Sequence, residues 1–241
     1  MNKVLIQLFI TLFLCSCNAQ KTERIAFYNV ENLFDTINGP NNDEEFLPDG
    51  KKEWGAKRYE TKINQINKII CDLKTPMLIG LCEIENEKVI QDIIDKNKRL
   101  KNYKTIHFNS LDARGIDVGM LYNTKKLSLL DKGFIRFILP NQSNPTSRDI
   151  LWAKLSYKNE VFFAIANHWP SRRGGTEKSA PKRMKAAKKA KEFIDSLLSE
   201  NPNTPIILMG DLNDYPSNQS VNELKKVLEP CITKSSNKYG G

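Results

Sequence analysis

The stretch Ile206-Ile207-Leu208-Met209-Gly210-Asp211-Leu212-Asn213-Asp214 constrains this chain more than any other. A β-branched and aliphatic run after Pro205 is too short for a helix and reads as a strand buried on both faces. It stops at Gly210, where a residue without a Cβ permits a tight or left-handed bend. Asp211 and Asn213 can then project at the rim of a hydrophobic core, placed to work on a phosphate, a metal ion or a water. Gly, Asp and Asn are also ordinary turn formers, so the segment alone does not separate a reactive rim from a turn.

Other runs supply the neighbours that such a strand needs. Ile25 to Val30 reads as a first strand, followed by Glu31, Asn32 and Asp35, and Met77 to Cys82 as a second buried strand running into Glu83. Between them, residues 36–52 are rich in Gly, Pro, Asn and acid and predict a long exposed loop, followed by a helix over 56–73 with Ile63, Ile66, Ile70 and Leu73 on one face. A helix over 87–98 and strands near 104–108, 116–122 and 129–138 come next, then a loop from Pro140 to Pro145. Ile150–Ser156 and Val161–Ala166 predict a hairpin, whose register sets Arg148 and Asp149 opposite Asn167 and His168. The helix over 180–198 carries Met184, Ala187, Ala190, Ile194 and Leu197 on one face and many lysines on the remainder. Arg172 and Arg173, before it, read as an exposed turn. His107 reads as structural.

The chain has 241 residues and a formal charge of +9, enough for one large domain and a bias toward anionic partners. Lys3 and the apolar run Val4–Leu14 form an export signal too short to span a membrane comfortably. Leu14-Cys15-Ser16-Cys17 resembles a bacterial lipobox, which implies a signal peptide over 1–16 and an anchor and tether over 17–23. Lipid on Cys17 would hold a monomer to the membrane of the bacterial cell envelope. Cys71, Cys82 and Cys231 have neither disulfide-framework nor zinc-site spacing.

The apolar strands share one property. Each ends in polar side chains: Asn29 and Glu31, then Glu83, then Asn167 and His168, then Asp211 and Asn213. Four such endings point to one site gathered at a sheet edge.

The motifs Asn29-Val30-Glu31-Asn32-Leu33-Phe34-Asp35, Glu83-Ile84-Glu85-Asn86, Arg114-Gly115-Ile116-Asp117-Val118, Asn167-His168-Trp169 and Gly210-Asp211-Leu212-Asn213-Asp214 occur in this order. Together they resemble the endonuclease/exonuclease/phosphatase superfamily over residues 24–241. The resemblance implies an α/β four-layered sandwich of two packed mixed β-sheets flanked by helices, and metal-dependent phosphodiester hydrolysis of a nuclease-like kind. Glu83 would be the principal ligand of magnesium (manganese or calcium being alternatives), with Glu31 and Asn29 beside it. Asp211 would accept a hydrogen bond from the attacking water, orienting it or taking its proton, Asn213 would hold the phosphate or Asp211 in position, and His168 would donate a proton or hydrogen bond to the phosphate. Asp117 is the residue the resemblance assigns to orient His168, with Asp149 as its rival. Arg114 and Arg148 fit as phosphate clamps, and Asn29 and Asn167 as substrate contacts.

The charge leans toward nucleic acid, although the same core residues also serve phospholipid and inositol-phosphate substrates. The pattern breaks at one point. The superfamily ordinarily closes with a further aspartate-bearing strand and a Ser-Asp-His signature, and no Asp-His pair follows Asp211 here. The chain therefore reads as incomplete at its C-terminus, lacking the last strands. That departure keeps an impaired, lipid-anchored binding protein as the alternative to an enzyme.

Overall fold

The computed structural model describes residues 22–139 and 147–231. The signal peptide, Cys17, the Pro140–Pro145 loop and the Tyr239-Gly240-Gly241 end lie outside the described residues.

Eight strands form two sheets. Sheet A has the order β1-β2-β4-β3, from β1 (Ile25–Leu33), β2 (Leu78–Ile84), β3 (Tyr103–His107) and β4 (Asp117–Asn123). Sheet B has the order β5-β6-β7-β8, from β5 (Ser128–Ile135), β6 (Ile150–Tyr157), β7 (Glu160–His168) and β8 (Ile206–Asp211). In each sheet one edge pair is parallel, β1 with β2 and β7 with β8, and the other pairs are antiparallel.

Period-2 alternation sorts the apolar side chains into layers. Leu78, Cys82, Val118 and Met120 meet Leu151, Ala153, Ala164 and Ala166 between the sheets. Ile79, Leu81 and Ile84 face outward onto α1 (Ala56–Asp72) and α2 (Glu87–Asp95). Ile165 and Trp169 face α3 (Thr176–Glu200) and α4 (Gln219–Leu224). The result is the four-layered sandwich that the resemblance implies.

Three local expectations change. The hairpin turn is the two-residue Lys158-Asn159, with φ of 48° and 70°, the positive values that match strand twist. The acidic loop is partly folded onto the domain: Phe46 stacks on Phe34 at 4.1 Å, Trp54 Nε1 donates to the Phe34 carbonyl at 2.8 Å, and Asp43 is buried. And β8 is half-buried at every position rather than buried on both faces, because it pairs with β7 alone among the described residues.

Candidate active site

Strand alternation decides which polar side chains reach the rim between the sheets. On β1, Ile25 and Phe27 point between the sheets, so Asn29 comes next on that face. On β7, Ala164 and Ala166 lead to His168; on β8, Ile207 and Met209 lead to Asp211. β2 is out of phase. Its Ile79 and Leu81 face the helices, and a regular strand would bury Glu83 on that side too. Instead Glu83 has φ 61°, and the ladder skips from Cys82 to Ile84 against both neighbouring strands. Ile84 takes the helix-facing position, and the bulge re-aims Glu83.

Glycines let the strands close on one another. A Cβ on Gly80 would lie 2.7 Å from Phe27 Cδ2 and 3.0 Å from Met209 Cε, so β2 has no side chain there to hold β8 away. A Cβ on Gly210 would lie 2.4 Å from the Asn167 carbonyl oxygen. Gly210 thus serves a close β7–β8 approach, not a bend: the strand runs through it to Asp211, and the left-handed residue is Asn213, at φ 51°. Glu31 and Asn32, with φ of 56° and 64°, share that backbone region. Such conformations are costly for residues with a Cβ and often accompany function.

Three distant segments meet at Asn29. Its Nδ2 donates to Glu83 Oε1 at 3.2 Å and to Asp211 Oδ2 at 3.0 Å. His168 Nε2 lies 3.7 Å from the same Glu83 oxygen. Burial, then the charges of Asp211 and Glu83, push the neighbouring Cys82 thiol up. Burial also drives His168 down, and with the charges of Arg148 and Arg114 holds it at about 2. In this arrangement the imidazole is neutral.

The loop after β8 is pinned from several sides. The Asn213 N–H donates to Asp211 Oδ1 at 3.0 Å, and its Nδ2 to the Trp169 carbonyl at 3.0 Å. Arg172 Nε donates to the Asn213 carbonyl at 2.8 Å, and its guanidinium lies over Tyr215 at 4.2 Å. Arg172 is therefore part of the frame, which corrects its reading as a free turn residue. Arg183, fully buried, pairs through Nε with Asp214 Oδ1 at 2.8 Å. Arg183 precedes Ala187, Ala190, Ile194 and Leu197 at three- and four-residue steps, so an arginine in the buried phase was a signal available in the sequence.

Other expected residues are placed differently. Asp117 does not reach His168; it pairs with His107 Nε2 at 3.0 Å and accepts from the Ser110 N–H at 2.9 Å. Asp149 is taken by Arg136 at 2.8 Å and the Phe137 N–H at 3.1 Å. His168 Nδ1 has no partner among the described residues. Asn167 alternates to the outer face, where its Oδ1 accepts from Trp169 Nε1 at 3.2 Å.

Arg148 is buried and committed to Asp112 at 3.3 Å and the Trp169 carbonyl at 2.7 Å, a strut rather than an open clamp. Asp112, which holds it, belongs to no motif. Arg114 is exposed, as a clamp requires. Glu31 is also exposed, and its N–H donates to Asn29 Oδ1 at 2.8 Å, so it touches the cluster through its backbone.

Residues 24–239 match the model of the Endonuclease/Exonuclease/phosphatase family, and the chain belongs to that family. Family members are hydrolases acting on phosphate esters and generally use divalent metals. Among solved structures the chain is similar to D. rerio TDP2 humanized by 14 mutations (17% identity, TM-score 0.53, 84% of this chain and 65% of that one). It is similar also to an endonuclease/exonuclease/phosphatase family protein from Bacteroides thetaiotaomicron (17%, TM-score 0.55, 84% and 66%). A third is a mannosyl-6-phosphatase of Bacteroides thetaiotaomicron VPI-5482 (17%, TM-score 0.55, 85% and 70%). The chain thus spans 65% and 66% of the length of the first two. No protein of curated function matches it in sequence.

The donor set suits a hard divalent ion. Glu83 and Asp211 converge on one amide from opposite sheets, and a magnesium site takes one or two carboxylates and keeps several waters. Among the described residues, no group of three or more His, Cys, Asp or Glu side chains is arranged to hold a metal.

Proposed function

We propose that the chain is a metal-dependent phosphoesterase that cleaves phosphodiester bonds at the rim where β1, β2, β7 and β8 end. The observation that carries this reading is the Asn29 carboxamide standing between the Glu83 and Asp211 carboxylates, with His168 alongside. Glu83 would hold the cation, most simply magnesium. A cation held there would supply charge neutralisation at a phosphate oxygen and at the leaving group.

The protein's own groups do the rest. Asp211 accepts a hydrogen bond from the attacking water and orients it. Asn29 keeps the two carboxylates in register, and Asn213 ties the Asp211 loop to Trp169. A neutral His168 donates a hydrogen bond from Nε2 to a phosphate oxygen, which favours that role over proton donation. Arg114 grips the phosphate from the solvent side. The charge of +9 favours a polyanion such as nucleic acid as substrate. The lipobox-like Leu14 to Cys17 supports an envelope-anchored enzyme.

Hydrolysis of bis(p-nitrophenyl) phosphate tests the mechanism. Turnover that requires magnesium, stops with chelator and is lost in Glu83→Ala is the expected result. Activity indifferent to all three would overturn it.

A further inference from the structure

Beside the candidate site, at the same end of sheet A, lies a cleft of about 330 Å³. Residues 37–41, after β1, form one wall, and Asn109, Ser110 and Gly115, before β4, form the other. We infer that this cleft takes a neutral, hydroxylated group attached to the scissile phosphate, so that the phosphate hydrolysed sits next to an end of its molecule. The inference rests on the phosphoesterase reading for the attached phosphate alone.

Charge comes first. Asp35, Glu85 and Asp117 line the cleft, all buried, and among the described residues no lysine or arginine lines it. A second phosphate placed here would meet carboxyl groups with no cation to offset them. A nucleic-acid backbone continuing through the cleft is therefore disfavoured, whatever the charge of the whole chain.

Hydrogen bonding comes second. The three carboxylates are engaged: Asp35 by the Ile37 N–H at 2.7 Å, Glu85 by the Asp35 N–H at 2.7 Å and Asp117 by His107 at 3.0 Å. The carboxamides of Asn38, Asn41 and Asn109 also line the cleft but make no hydrogen bond with described residues. Each offers two donors and an acceptor, the complement of a hydroxyl, which both gives and takes. Ser110 Oγ accepts from the Asp112 N–H at 3.2 Å and keeps its own proton to donate. Ile37, 64% exposed, adds an apolar surface suited to the C–H face of a ring.

Position comes third. Arg114 immediately precedes Gly115 of the cleft wall, and its charge reaches His168. One short loop thus links the neutral cleft to the phosphate position. Both a monosaccharide and a terminal nucleoside satisfy this chemistry.

Binding and turnover separate the possibilities. Side-chain amide resonances of Asn38, Asn41 and Asn109 are followed while glucose 6-phosphate or adenosine 5′-monophosphate is added to the unaltered protein. Shifts at these amides with either probe are expected, and the probe that shifts them names the source. Amides unmoved by both would overturn the assignment even if the protein is an active phosphoesterase. Shifted amides in a protein that hydrolyses no phosphoester would overturn the hydrolytic reading and leave the cleft standing.

In turnover, Asn38→Ala/Asn109→Ala should lower kcat/KM for the p-nitrophenyl diester of the responding probe about tenfold relative to bis(p-nitrophenyl) phosphate, the loss of one or two hydrogen bonds. An unchanged ratio would count against the cleft. Covalently closed circular DNA has no ends and should not be cut, and nicking of the circle as fast as a linear duplex of the same sequence would overturn the inference.

Discussion

β2 and β8 carry nearly the same message, an apolar run with one glycine ending in a carboxylate, yet the fold treats them differently. Leu78 to Cys82 lies buried between β1 and β4, whereas every residue of β8 is half-exposed beside β7. Hydrophobic pattern says that a strand faces a core, but it does not say how many neighbours the strand has. The two rims are accordingly fixed by different means. Glu83 is aimed by a bulge inside a densely packed strand. Asp211 sits on a thinly packed strand, and the loop after it is tied down by polar pins from Arg172, Arg183 and Trp169.

The contrast can be broken first at the two carboxylates. Glu83→Ala and Asp211→Ala should each lower kcat on the order of 10³-fold. The magnesium concentration for half-maximal activity should rise about tenfold or more in Glu83→Ala and move far less in Asp211→Ala. Equal shifts in a magnesium titration would erase the division of labour between the strands.

Next comes the pin. Arg183→Ala leaves the buried Asp214 carboxylate to Arg172 at 3.6 Å and to the Ser220 hydroxyl and should cost about 2 kcal/mol in urea unfolding, well above the loss on breaking the exposed Lys96–Glu60 pair with Lys96→Ala. If the two cost the same, polar pinning of the β8 loop is wrong.

Packing gives the third and smaller difference. Ile79→Ala in β2 should destabilise by about 3 kcal/mol and Leu208→Ala in β8 by about half of that, because a half-exposed side chain leaves a smaller cavity. Matching losses in thermal or urea melts would mean that β8 is covered in solution.

A further, pH-dependent effect lies just before β6, at Asp149. Burial, opposed by the Phe137 N–H and Arg136 and reinforced by Asp117, raises Asp149 from 3.8 to about 6. A raised carboxyl means that the folded protein keeps a proton the unfolded chain has already lost. Stability from this group is present below about pH 4 and falls as the pH rises toward 6. Asp149→Asn should flatten that part of the stability–pH curve, and a slope left intact would assign it to another group.

Much of the fold was legible because alternation and helical period are local properties. Leu78–Cys82, the β6–β7 hairpin and the Ala187–Leu197 stripe announce their elements within a few residues. The same alternation carries Asn29, His168 and Asp211 onto one face. The Glu83 bulge was not legible, since nothing in Leu81-Cys82-Glu83-Ile84 marks a left-handed residue; it arises where β1, β2 and β4 must share one register. The partner of Asp117 was equally hidden. Whether an aspartate meets His107 or His168 depends on which strands become neighbours, and both histidines end apolar strands.

Sequence alone determined the period of each element, the oxygen-rich ends of the strands and therefore the kind of chemistry they suit. Only tertiary structure decided which ends meet, how deeply each strand is covered and which arginines are spent on holding loops. The division has a physical cause: side-chain direction along a strand is set by neighbouring peptide units, whereas pairing, burial and counter-charge depend on residues brought together from more than a hundred positions away, as Asn29 and Asp211 are.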